Sequence, residues 1–182
     1  TLRIIGVPEA RYREDPVRML RVVRFAAKLD FTLAPDTAAP IPELAELLED
    51  MSSHRLYDEC QKLFGGGHAA PLLPLLEEYG LFEPLFPEAM LYPRHQLWQL
   101  TAENTDARIA IGKGINPAFF FAALLWGPMQ ARLNQLLDEG VPPVPAWPWA
   151  IDVQATMQLR PDALVMDMAL TAGPGSGCVG PD

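Results

Sequence analysis

Between residues 17 and 29 the apolar side chains return every three to four positions. Set at about 100° per residue from Arg18, the residues Leu29, Val22, Ala26, Met19, Val23, Ala27 and Leu20 share one arc, while Arg24, Lys28 and Arg21 occupy the opposite sector. The period predicts an amphipathic helix with a core stripe and a basic ridge. Its start is marked as well. Asp15 before Pro16 reads as an N-cap followed by proline at the first helical position, where a missing N–H costs nothing.

Further along, residues 33–37 read as a turn, 36–39 as a short helix cut by Pro40 and Pro42, and 42–48 as a second short helix. Ser53 is placed to cap a helix over 54–64 that buries Leu56, Cys60, Leu63 and Phe64, with Arg55 and Glu59 as an exposed i,i+4 pair. Gly65-Gly66-Gly67 ends that helix. No Lys-Ser/Thr follows it, so a helix stop and turn is favoured over a phosphate loop. Residues 71–79 predict a helix closed by Gly80, and 81–87 an aromatic, proline-cut plug between helices. Asn116 caps a strongly apolar helix with Pro117 at its first position, running through Trp126 and read as buried. No strand-like alternation persists, so the fold class is all-α.

Residues 139–182 hold seven prolines and five glycines, a composition of loops or disorder, with one apolar helix conceivable over 161–170. Fast amide exchange and proteolytic trimming are expected of that tail.

Charge changes the picture. The chain of 182 residues has a net charge of −9, which argues against a broad nucleic-acid surface. Yet residues 1–30 hold seven Lys and Arg against four Asp and Glu, a net of +3, and the remainder carries −12. A local phosphate site fits that distribution; an RNA-wrapping surface does not. No apolar run is long enough to span a membrane and no signal peptide is evident. The chain opens on Thr1, within residues 2–6 that read as the end of an earlier element, so a fragment is expected. Cys60 and Cys178 show no pairing logic, which suits a reducing cytoplasm. His54, His68 and His95 lack metal-ligand spacing, and there is no Asp-x-Asp. The acidic neighbours Glu49-Asp50, Asp58-Glu59 and Glu77-Glu78 read as solvated faces. No catalytic residue and no metal ligand is therefore assigned within the chain.

The candidate chemistry sits on the basic helix. Arginine, the side chain suited to planar, forked recognition, recurs at 18, 21 and 24. Asp15 and Arg18 lie on one turn and offer an acceptor beside a donor, which could read a nucleobase edge. A solvated amphipathic face with an acidic start and basic finish is the competing reading. Glu14-Asp15-Pro16-Val17-Arg18-Met19-Leu20-Arg21, leading into Arg24-Phe25-Ala26-Ala27, resembles the nucleotide-selecting helix of template-independent RNA nucleotidyltransferases, the family of bacterial poly(A) polymerases and CCA-adding enzymes. Residues 55–64 and 75–87 resemble the neck-to-body passage of the poly(A) polymerase branch, and 103–106 and 115–126 fit it too.

The resemblance implies a helical neck over 1–92, part of a helical body over 93–138, and an irregular tail over 139–182. It gives base recognition to Asp15 and Arg18, support to Glu14, and phosphate contact or orientation of Arg18 to Arg21 and Arg24. Lys28, Arg11 and Arg13 are expected to meet RNA. The intact enzyme would transfer AMP from ATP to RNA 3′ ends, using Mg2+ held by a head domain outside this chain, and the fragment alone would be inactive. The alternatives are a CCA-adding tRNA nucleotidyltransferase fragment and a non-catalytic helical interaction module.

Overall fold

A computed structural model describes residues 1–142; the expectations placed on 143–182, including the apolar helix over 161–170, lie outside the described residues. Ten α-helices follow one another: α1 (Pro8–Glu14), α2 (Val17–Leu29), α3 (Pro35–Ala38), α4 (Pro40–Leu44), α5 (Ser53–Phe64), α6 (Ala69–Glu78), α7 (Phe82–Leu85), α8 (Pro87–Leu91), α9 (His95–Ala110) and α10 (Pro117–Asp138). A 3₁₀ turn over Ala45–Leu48 continues α4. Among the described residues there is no strand, only one parallel bridge in which Leu2 N–H donates to Thr32 O at 2.8 Å and Ala34 N–H to Leu2 O at 2.9 Å. The all-α expectation holds.

α2 forms as its periodicity predicts, burying Met19, Leu20, Val22, Val23 and Ala26 against α5 and α6, and Val17, which falls on the basic side of the wheel, is buried as well. Leu29 departs from the predicted stripe, 47% exposed at the helix end. The start also differs. Asp15 makes no side-chain cap; its extended backbone carbonyl accepts from Arg18 N–H at 3.0 Å, while its carboxylate turns to arginines. The carboxylate is diverted by Arg55 of α5, forty positions away, whose Nη2 donates to Oδ1 at 2.8 Å. α1 went unread in the sequence because only Tyr12 buries itself among its polar residues. The Tyr12 hydroxyl donates to Thr37 O at 2.9 Å, and burial pushes its pKa up to about 12.

α6 shows how prolines fit a helix start. Pro71 stands in the first turn, where its missing N–H would have had no intrahelical acceptor. The two N–H groups beside it, of Ala69 and Ala70, donate to Asp106 Oδ1 and Oδ2 of α9, both at 2.8 Å. A carboxylate from another helix thus serves as the cap, and the favourable end of the helix dipole adds to it. Asp106→Ala is expected to cost about 0.5–2 kcal/mol, and Asp106→Asn, which keeps one acceptor, less. Chemical denaturation measures both; an Asp106→Ala protein as stable as wild type would show that the cap carries no weight.

At its far end α6 closes on Gly80, at φ 66°, with Gly80 N–H donating to Glu77 O and Leu81 N–H to Leu76 O. That closure sends Leu81, Phe82, Leu85 and Phe86 inward, the plug predicted over 81–87, while Glu83 and Pro87 stay at the surface. Phe82 and Phe86 are buried, and their rings lie 5.3 Å apart between centroids. Phe86 also meets Phe64 of α5 and Phe121 of α10, at 6.0 and 6.3 Å. Phe82 stacks on Trp98 of α9 at 5.1 Å, and Phe64 on Phe120 at 4.2 Å. One continuous core therefore runs from Tyr12 to Leu124.

Asn116 caps α10 as predicted, its side chain accepting from Ala118 N–H at 3.0 Å. The helix buries Phe120, Phe121, Ala123 and Leu124, but Phe119 and Trp126 are exposed, so the buried reading holds for one face. At Gly127 the Tyr92 carbonyl oxygen approaches so closely that a Cβ would collide with it.

Candidate functional site

The acidic and basic residues of α1, α2 and α5 meet along one seam. Asp15 is the junction. Its side chain is 16% exposed, with Arg55 Nη2 of α5 donating to Oδ1 at 2.8 Å and Arg18 Nε standing 3.7 Å from Oδ2. Arg18 Nη1 donates to Glu14 Oε2 at 3.2 Å and reaches Arg11 O at 3.5 Å. Arg11 shares the same Glu14 oxygen at 2.9 Å. The seam thus brings together Asp15, Arg18, Glu14 and Arg11, four of the residues singled out in the sequence.

Arg21 faces elsewhere. Its Nη2 donates to Glu59 Oε1 of α5 at 2.9 Å, and Lys62 Nζ reaches the same oxygen at 3.0 Å. Glu59 is 3% exposed, which overturns the solvated i,i+4 pair expected with Arg55. Burial alone would raise the Glu59 carboxyl, but the hydrogen bonds from Arg21 and Lys62 outweigh it and hold it below the usual carboxylate range. The same hydrogen bond to Glu59 raises Arg21 above its ordinary value. α2 is thereby clamped to α5 by ionic contacts beside its apolar stripe.

The remaining candidates lie apart from the seam. Arg13 is held by Glu9 at 2.9 Å on α1 itself, an exposed pair of the kind worth little in stability. Arg24 folds over the Phe25 ring, 5.2 Å from its centroid. Lys28 is exposed in the last turn of α2.

Three participants were missed in the sequence: Arg55, Glu59 and Lys62. A wheel of α5 carries a signal for them. Counted at about 100° per residue from Leu56, Glu59 stands at about 300°, between Lys62 at 240° and the buried Leu63 at 340°. Its position at the border of the apolar arc marked it as a residue facing α2.

The carboxylates of the seam do not fit a divalent cation. Glu14, Asp15 and Glu59 each accept from arginine or lysine. Among the described residues no three His, Cys, Asp or Glu side chains converge. Cys60 is buried, which pushes its thiol up to about 12 and makes it a poor nucleophile. What the seam offers instead is an acceptor and a planar donor, side by side and held from behind.

Comparison with known proteins gives this geometry a context. A family model described as "Probable RNA and SrmB- binding site of polymerase A" matches residues 30–91. Poly(A) polymerase I of Escherichia coli O157:H7 is 46% identical over 145 residues, 76% of this chain and 31% of the relative. The Haemophilus influenzae protein of the same name is 45% identical over 148 residues, 76% of this chain and 32% of the relative. The CCA-adding enzyme of Geobacillus stearothermophilus is 50% identical over 80 residues, 44% of this chain and 20% of that enzyme. The chain spans about a third of the length of the poly(A) polymerases it matches.

Proposed function

The chain belongs to the family of bacterial poly(A) polymerases and CCA-adding enzymes, and on that premise we propose that it is the nucleotide-selecting and RNA-binding portion of a polynucleotide adenylyltransferase. The intact enzyme adds AMP from ATP to RNA 3′ ends. The poly(A) assignment is preferred to CCA addition because the match to poly(A) polymerases extends over 76% of the chain, against 44% for the CCA-adding enzyme. In this reading residues 1–92 are the neck, 93–138 part of the body, and the protein works in the cytoplasm. No helix of the described residues is long and apolar enough to cross a membrane. Mg2+ belongs to the intact enzyme and is held outside the described residues.

The observation that carries the reading is the Asp15–Arg18 pair. Arg55 takes Oδ1 of Asp15, which leaves Oδ2 as the acceptor 3.7 Å from the Arg18 guanidinium. Glu14 and the Arg11 carbonyl take Nη1 of Arg18, and Nη2 is the nitrogen these contacts do not use. Adenine presents an amino donor beside a ring-nitrogen acceptor, so the amino group meets Asp15 and the ring nitrogen meets Arg18. Cytosine presents the same order; guanine and uracil present the reverse. The pair therefore rejects GTP and UTP by opposing donors to donors, and discrimination between ATP and CTP rests on base size and on the surrounding walls. Arg21, held by Glu59, orients α2 and with it Arg18, while Arg24, one turn further along the ridge, supplies counter-charge to the nucleotide phosphates or the RNA backbone. Arg11, Arg13 and Lys28 extend that charge toward RNA.

Incorporation of each nucleotide by the full-length parent tests this. An edge contact of this kind is worth roughly 1–3 kcal/mol of discrimination, so Asp15→Asn and Arg18→Lys are each expected to lower selectivity against GTP and UTP by about one to two orders of magnitude. Lysine cannot reproduce the planar fork, and the Asn amide adds a donor where an acceptor is needed. Circular dichroism establishes that both variants fold. Unchanged nucleotide choice in both would return α2 to a solvated helix in an interaction module.

A further inference from the structure

The outer face of α2 continues past the seam and changes character. Phe25 is 42% exposed, Leu29 47% and Phe31 46%, beside the cations Arg24 and Lys28. Phe25 and Leu29 are one turn apart on the same face. Asp30, in the left-handed region at φ 51°, ends the helix and sets Phe31 just beyond it. Arg24 stands over the Phe25 ring at 5.2 Å, although neighbouring residues of a helix do not ordinarily face one another. A cation and a ring face are thus already in contact at the surface.

We propose that Phe25, in contact with Arg24 and flanked by Lys28, is a stacking platform for a base of the single-stranded RNA primer. Rings that accept a base face and cations that accept phosphate, alternating along one ridge, are the chemistry by which single strands are held without sequence readout. The charge argues for RNA over a protein partner: the first thirty residues carry +3 while the rest of the chain carries −12. Continuity argues the same way. On the α2 wheel Phe25 lies about 20° from Arg18, and seven residues at 1.5 Å separate them by roughly 10 Å along the axis. At about 3.4 Å per stacked nucleotide that is three steps, so the platform holds a primer base about three positions from the incoming nucleotide. The inference rests on the proposed role of Asp15 and Arg18 in nucleotide selection, and it concerns primer affinity, which nucleotide choice does not report.

The test is primer binding by the full-length parent, read as fluorescence anisotropy of a labelled oligoadenylate. Phe25→Leu keeps an apolar side chain of similar bulk but no ring face, and is expected to weaken binding by about five- to a hundred-fold. Phe25→Tyr should stay within about twofold. On primers made abasic at successive positions from the 3′ end, the penalty of Phe25→Leu should disappear at one position near the third. Circular dichroism of both variants excludes misfolding. Wild-type affinity in Phe25→Leu would overturn the proposal. A loss equal on every abasic primer would also overturn it, since it would mean that Phe25 packs against protein. Altered nucleotide choice in Asp15→Asn with no effect of Phe25→Leu would leave the selecting pair standing and remove the platform alone.

Discussion

Replacing Arg21 and Lys62 together by methionine is expected to destabilise the protein by about 3–5 kcal/mol, among the larger effects available in the chain. Both donors serve one oxygen of Glu59, and Glu59 is 3% exposed. Losing one leaves the other in place, so each single variant should cost much less. Losing both leaves a carboxylate with neither water nor a partner. Restoring the balance from the other side should rescue the fold. Glu59→Leu added to the double variant replaces a buried charge with an apolar side chain, a change that is often neutral or stabilising. The pH dependence supplies an independent check with a sign. In wild type the Glu59 carboxyl is held below its unfolded value of about 4.3, so its contribution is present above that pH and is lost as the pH falls through the depressed pKa. Without the two donors burial dominates and raises the carboxyl, so the variant should gain relative stability as the medium is acidified. Urea denaturation across pH measures both. A double variant within 1 kcal/mol of wild type, roughly the size of a surface pair, would show that Glu59 reaches water.

Phe86→Ala should be comparably severe, at about 3–5 kcal/mol. Phe86 is fully buried, and its ring touches Phe64, Phe82 and Phe121, which come from α5, α7 and α10. Its loss opens a cavity bounded by rings anchored on three separate helices, which cannot all close on it. Against a typical domain stability of about 5–15 kcal/mol, such a loss is a large fraction. Phe119→Ala is the control: it removes a ring from α10, which also carries Phe121, but at 59% exposure it should change stability by less than about 0.5 kcal/mol. Similar midpoints for the two variants in thermal melts would show that the ring cluster is not the keystone of the core.

The elements governed by local rules could be read from the chain. Apolar periodicity located α2 and α5, Asn116-Pro117 marked the start of α10, and Gly80 marked the close of α6. The pairing of Asp15 with Arg18 could be read too, because a residue just ahead of a helix, whose carbonyl accepts from the first turn, stands beside the side chain three positions on. What could not be read depended on long-range partners. Asp15 had the sequence of an N-cap, but Arg55, forty positions away, competes for its carboxylate. Glu59 had the spacing of a surface ion pair with Arg55, but the approach of α2 buried it and offered Arg21 instead. α1 buries only Tyr12, so its periodicity was too weak to detect, and it is held by a hydroxyl bond to Thr37 that no local pattern announces.

The aromatic cluster has a consequence for how such proteins can be recombined. A junction placed after residue 92 respects the proposed passage from neck to body, yet Phe64, Phe82 and Phe86 lie before it while Trp98, Phe120 and Phe121 lie after it. A chimaera made there inherits half of an interlocking set of rings from each parent. The portable unit is the whole cluster, and a graft that keeps base choice while exchanging the body has to carry the facing rings of α9 and α10 along with the neck.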